Sequence, residues 1–60
     1  MFELDEWVYV RHEALWYPAV VVWSDAFAQR MCVRLRKWVL PPPLHDLMYI
    51  SAGSPLLVAA

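Results

Sequence analysis

Pro18 lies inside the most apolar run of the chain, Leu15-Trp16-Tyr17-Pro18-Ala19-Val20-Val21-Val22-Trp23. In a helix interior proline removes a backbone donor and its ring clashes with the preceding turn, at about 3 kcal/mol or more. The run therefore reads as a strand, which its valines and aromatics also favour. Proline is tolerated in a strand near its start, at an edge or at a bulge. That places Trp16-Tyr17-Pro18 at the entry and the regular strand at Ala19 to Trp23. Both parities of this strand are apolar. Burial on both faces is the expectation, as where a long bent strand passes from one sheet of a small barrel to the other.

The rest of the chain supplies partners for that strand. Trp7-Val8-Tyr9-Val10-Arg11 is β-prone, and alternation puts Val8 and Val10 on one face and Trp7, Tyr9 and Arg11 on the other. His12-Glu13-Ala14 is short enough for a hairpin link. Ser24 to Gln29 opens with two turn formers, and a single helical turn capped by Ser24 is one option for it. Arg30 to Trp38 alternates most clearly: Met31, Val33 and Leu35 share one face, and Arg30, Cys32, Arg34, Arg36 and Trp38 the other. Pro41-Pro42-Pro43 ends this segment with three residues that cannot donate to a ladder and that favour an extended, stiff polyproline path. Leu44-His45-Asp46-Leu47 reads as a tight turn and Met48-Tyr49-Ile50 as a short strand. The segment 51–60 reads as an extra strand or a docking tail. Four or five short antiparallel strands separated by turn signals predict one all-β domain over residues 1–60, a small barrel.

Sixty residues bury only about 60% of the surface that the unfolded chain exposes. The single cysteine, Cys32, cannot close an intrachain disulfide, and no Cys or His spacing suits zinc. Yet 62% of the residues are hydrophobic, against a usual 45–50%. A chain this short cannot enclose all of that surface. Completion by a partner, including a second copy in a homo-oligomer, is the expectation. The net charge of −1 gives no overall pull toward nucleic acid, but Glu3, Asp5 and Glu6 make one end acidic and Arg30, Arg34, Arg36 and Lys37 make a later segment basic. The acidic start is unlike an export signal. The longest uncharged stretch, residues 47–60, is shorter than the ~20 apolar residues that span a bilayer. A lone cysteine suits a reducing compartment. The expectation is a soluble intracellular protein, cytoplasmic or nuclear, with no membrane partner.

Trp7-Val8-Tyr9-Val10, Leu15-Trp16-Tyr17-Pro18-Ala19-Val20-Val21, Cys32-Val33-Arg34-Leu35 and Leu44-His45-Asp46-Leu47 together resemble the strand order of Tudor-like domains. The wider group includes the PWWP and agenet domains. The aromatic-Tyr-Pro-Ala-x-Val core is the most specific part, and the matches span roughly residues 4–50. The resemblance implies an SH3-like barrel of four to five antiparallel strands. It also implies a binding role, since such domains hold methylated lysine or arginine in an aromatic cage by cation–π attraction. Carried onto this chain, the cage positions fall near Arg11 or His12, at Tyr17 with Trp16 beside it, near Arg36, and at Trp38. The polar loop that usually completes the cage is replaced by Val39-Leu40 and the prolines. Two cage positions occupied by cations turn the same surface toward an acidic or aromatic ligand.

The residues proposed to bind a partner are therefore Trp16, Tyr17, Arg34, Arg36 and Trp38. Flat rings and arginines of this kind dominate protein interfaces. They also suit single-stranded RNA or DNA, where phosphates meet arginines and bases stack on rings. The apolar Leu56-Leu57-Val58 is a further surface for self-association. Catalysis is not expected. Cys32 sits in mid-strand, where cysteine is usually a small packing residue, although flanking arginines could lower its pKa. Gly53 is the only glycine, so no phosphate loop exists. No cofactor and no metal are expected. The reading is a non-catalytic protein-interaction module that also self-associates, with a nucleic-acid-binding barrel as the alternative.

Overall fold

A computed structural model describes residues 2–59. The strands are β1 (Trp7–His12), β2 (Leu15–Asp25), β3 (Arg30–Leu35), β4 (Leu47–Ser51) and β5 (Leu57–Ala59). They form one antiparallel sheet in the order β4-β3-β2-β1-β5. No helix of the described residues is long and apolar enough to cross a membrane. The Cα radius of gyration, 10.4 Å, matches the roughly 10 Å of a close-packed chain of this length. The sheet is therefore curled on itself, and the all-β, barrel-like class read from the sequence is the observed one.

The inward face carries the core. β1 contributes Val8 and Val10, β2 Ala19 and Val21, β3 Met31, Val33 and Leu35, and β5 Leu57. Registers Val8↔Ala19, Ala19↔Leu35 and Val21↔Val33 bring these residues into shared cross-strand rows. Phe2, Tyr17, Val39, Met48, Ile50 and Ala52 pack around them as a half-buried rim. Within 51–60 the extra strand is Leu57–Ala59, and residue 60 lies outside the described residues: Leu57 enters the core, and Val58 pairs with Tyr9 on the outer face. Leu57 is lost to any self-association surface, leaving Leu56 and Val58 exposed.

Two expectations about β2 are corrected. The strand begins at Leu15 rather than Ala19, because Trp16, Tyr17 and Pro18 pair in register with Arg11, Val10 and Tyr9. Its outer parity is also not buried. Ala19 and Val21 are fully enclosed, but Val22 and Trp23 are open to solvent. A register shift between Val21 and Trp23 inserts Val22 as a bulge, which turns Trp23 to the outer side beside Cys32. No second layer of the described residues covers that side, so Trp7, Tyr9 and Tyr49 are exposed there too.

The connections correct three more readings. Asp25, not Ser24, organises the 26–29 turn: its Oδ1 accepts from the N–H groups of Phe27 (3.0 Å) and Ala28 (3.2 Å). β3 ends at Leu35, so Arg36 and Trp38 do not continue its outer face. The proline triplet is not an extended spacer. The Pro41 carbonyl accepts the Leu44 N–H at 3.0 Å, folding the prolines into a turn. Prolines lack donors but keep their carbonyls, and Leu44 supplies the donor that they cannot.

The β1–β2 link is a two-residue turn with Glu13 at φ 51° and Ala14 at φ 68°. Both central residues are left-handed, the geometry of a type I′ hairpin, which prefers Asn-Gly. An ordinary side chain there costs about 1–2 kcal/mol per residue. Replacing the pair (Glu13→Asn with Ala14→Gly) relieves part of that cost, offset by the larger unfolded-state entropy of glycine, and should stabilise the fold by about 1–2 kcal/mol net. Urea denaturation followed by tryptophan fluorescence should show the midpoint rising with an unchanged slope.

Candidate functional site

Pro18 determines where the β2–β3 ladder stops. Its carbonyl accepts the Arg36 N–H at 3.1 Å, so its backbone polar edge faces β3. The return bond from position 18 cannot form, because proline has no N–H. Beyond Leu35 the chain bends away at Arg36 and Lys37. The divergence opens a groove of about 590 Å³ lined by Leu15, Trp16, Tyr17, Pro18, Arg36 and Lys37.

The groove has an apolar wall and a cationic rim. Trp16 is exposed on the outer face, with the Arg11 guanidinium 6.0 Å from its ring centroid, at the outer limit of cation–π range. Tyr17 is half-buried, its inner side packed against the core, so its position is fixed by the fold. Arg36 and Lys37 are exposed. Among the described residues neither is in an ion pair, and no carboxylate lines the groove. Such a surface attracts anionic or electron-rich groups.

Of the five residues expected to bind a partner, the groove brings together Trp16, Tyr17 and Arg36. Arg34 lies on the outer face of β3, between Val20 and Leu47 in the cross-strand row. Its Nε is 3.5 Å from Asp46 Oδ2, which offsets its charge. Trp38 has turned toward the 41–46 turns, where its ring meets His45 edge-on at 4.5 Å between centroids and 86°. The aromatic residues thus do not converge on a cage. Lys37 and Leu15 are the additions. Strict alternation would have sent Lys37 to the face opposite Arg36. Because β3 ends at Leu35, both reach the same rim.

Cys32 is buried on the outer side of β3, between Trp23 of β2 and Tyr49 of β4. Burial pushes its thiol above the ordinary value of 9.0, against smaller lowering effects from a hydrogen bond with Tyr49 and the charge of Arg34. No histidine is among the groups acting on it. His12 and Glu13 approach to 4.0 Å only at the exposed hairpin turn. No group of three His, Cys, Asp or Glu side chains among the described residues could hold a metal ion.

Comparison with models of known protein families, with curated proteins and with solved structures gives no match to this chain.

The raised thiol pKa makes a checkable outcome. Thiolate is the reacting species, so iodoacetamide at pH 8 should modify native Cys32 at least about tenfold more slowly than the urea-unfolded chain. The sign for stability follows. A thiol harder to ionise when folded contributes stability that is fully present below pH 9.0 and falls as pH rises through and beyond it.

Proposed function

We propose that this chain is a non-catalytic protein-interaction module that grips an acidic, aromatic segment of a partner protein in the Trp16–Arg36 groove. The observation that supports this most is the composition of the groove itself. Leu15, Trp16, Tyr17 and Pro18 form its apolar side, with the Trp16 ring on the outer face, and two unpaired cations with no opposing carboxylate among the described residues form the rim. Interface energy concentrates in Trp, Tyr and Arg at such positions. A ring from the partner fits between Trp16 and Pro18, while its carboxylates meet Arg36 and Lys37 by charge-assisted hydrogen bonds. Offset of Arg34 by Asp46 leaves Arg36 and Lys37 as the cations that line the groove.

The Tudor-like resemblance supports a binding role of this class, with the ligand preference reversed. A methylated cation would face Arg36 and Lys37 rather than a closed set of rings. The proposal includes self-association, which the uncovered outer face supports. Trp7, Tyr9, Trp23 and Tyr49 all stand on it, exposed.

The test is selection from a displayed peptide library, followed by titration of the selected peptide against native tryptophan fluorescence. Selected sequences should be enriched in Asp, Glu and aromatic residues. Trp16→Ala should weaken binding by roughly 30-fold, the effect of losing an interface hot spot. It should leave the fold intact, since Trp16 faces solvent. Unchanged affinity in that variant would rule out the groove. Selection of basic or methyl-lysine peptides would rule out the ligand class. Oligonucleotide binding that falls steeply with salt would transfer the groove to nucleic acid.

A further inference from the structure

We infer that two copies of this chain join edge to edge through β4, antiparallel, about a two-fold axis at Tyr49. The inference names the surface for the self-association in the functional reading above and rests on that part of it. It does not involve the groove.

β4 is an end strand of the sheet. Proteins usually protect such edges with charge, proline, bulges or brevity. Leu47-Met48-Tyr49-Ile50-Ser51 has no charge, no proline and no register shift against β3. The other edge, β5, offers only three residues.

The hydrogen-bond pattern makes the β4 edge complementary to itself. In an antiparallel ladder, successive residues point their backbone groups alternately to one side and the other. The Leu35 N–H donates to the Asp46 carbonyl at 2.7 Å, and the Ala52 N–H to the Gln29 carbonyl at 2.8 Å. These bonds frame β4 and place Met48 and Ile50 as the residues whose backbone groups face β3. Leu47, Tyr49 and Ser51 therefore face outward. Two of their groups are already used: the Leu47 N–H donates to the Leu44 carbonyl at 3.2 Å, and the Ser51 carbonyl accepts from the Ser54 N–H at 3.0 Å. Among the described residues this leaves the Leu47 carbonyl, both groups of Tyr49 and the Ser51 N–H open along the edge.

A two-fold axis beside Tyr49 matches every one of them. Each Tyr49 N–H donates to the carbonyl of Tyr49 in the second copy. Each Ser51 N–H donates to the carbonyl of Leu47 in the second copy. The groups already bonded within the chain lie at the two ends, where a carbonyl can accept again. A shift of two residues in one direction sets Tyr49 opposite Leu47, whose N–H is already engaged, and in the other sets it opposite Ser51, whose carbonyl already accepts from Ser54; the register centred on Tyr49 pairs only open groups.

The side chains agree with this register. Met48 and Ile50 are half-buried members of the core rim, and each would sit opposite the other's counterpart in a close pair, about 4.5 Å between Cα atoms. On the outer side, the row Trp23-Cys32-Tyr49 would continue into the same row of the second copy. Since β4 is uncharged, no like charges meet at the axis. An edge contact buries less than the ~800 Å² per partner of a standard interface, so the dimer should dissociate in the micromolar range or above.

The decisive experiment uses the unmodified chain. Sedimentation equilibrium between ~1 µM and ~1 mM should show the mass rising from 7.0 kDa toward twice that value. Over the same range, the Tyr49 amide should pass from fast to protected hydrogen exchange. A chain of 7.0 kDa throughout would overturn both the β4 interface and self-association. A dimer whose Tyr49 amide stays unprotected would overturn the interface alone. Chemical synthesis with N-methyl-Tyr49 removes one donor per copy and should weaken the dimer on the order of tenfold or more. An unchanged dimer in that variant, with native circular dichroism, would also overturn the proposal. Tyr49→Lys places two like charges at the axis and should produce monomers that still bind peptide in the groove. If either variant fails to fold, amide exchange in the unmodified chain decides the matter.

Discussion

The N–H that Pro18 lacks falls where the β2–β3 ladder ends and the groove begins. β2 is the central strand and must pair on both sides, with β1 and with β3. Toward β1, Pro18 loses nothing, because its backbone edge points the other way and Tyr9 stands opposite it. Toward β3, it can accept from Arg36 but cannot donate. A ladder that cannot be completed ends there, and the two chains part. The same residue therefore excludes a helix, sits in register within a long strand, and opens the groove between Trp16-Tyr17-Pro18 and Arg36-Lys37.

The second constraint is the amount of apolar surface. With a 62% hydrophobic composition and one curled sheet, the inner face is closed and the outer face buries only Cys32. The small inward residues Val8, Val10, Ala19, Val21 and Val33 fill that space. The larger rings, Trp7, Tyr9, Trp23 and Tyr49, are left exposed on the outer face, where no second layer of the described residues covers them. Burial of apolar area at about 25 cal/mol per Å² gives such a surface a standing tendency to associate. The groove and the β4 edge are separate outlets for it. One combines rings with unpaired cations and suits an acidic partner. The other offers uncharged backbone groups and suits a copy of itself.

Much of the inner face was legible in the sequence because alternation is a local property. Val8 and Val10, and Met31, Val33 and Leu35, could be read by period alone, and all are in the core. The course of the strands could be read from Pro18 and the turn formers. What was hidden depends on contacts distant in sequence. The solvent exposure of β2's outer parity follows from the absence of a second layer, which an apolar run does not disclose. The bulge at Val22 and the end of β3 at Leu35 were likewise invisible, and they moved Trp23, Arg36, Lys37 and Trp38 from the faces that alternation assigns. Arg34 looked equivalent to Arg36 until Asp46, twelve residues later, was found beside it. The left-handed Glu13 and Ala14 gave no signal, since neither is a residue type that favours that conformation.

The account turns on the missing donor, and restoring it is the direct test. Pro18→Val returns an N–H to the strand without adding a polar side chain. Hydrogen exchange of the new amide at position 18, followed by NMR, reads whether the ladder lengthens. The account predicts an amide protected like those of the neighbouring β2 residues, with Arg36 and Lys37 drawn toward the sheet and the groove narrowed. An amide at position 18 that exchanges as freely as an exposed loop would contradict it, and the origin of the groove would have to be sought elsewhere.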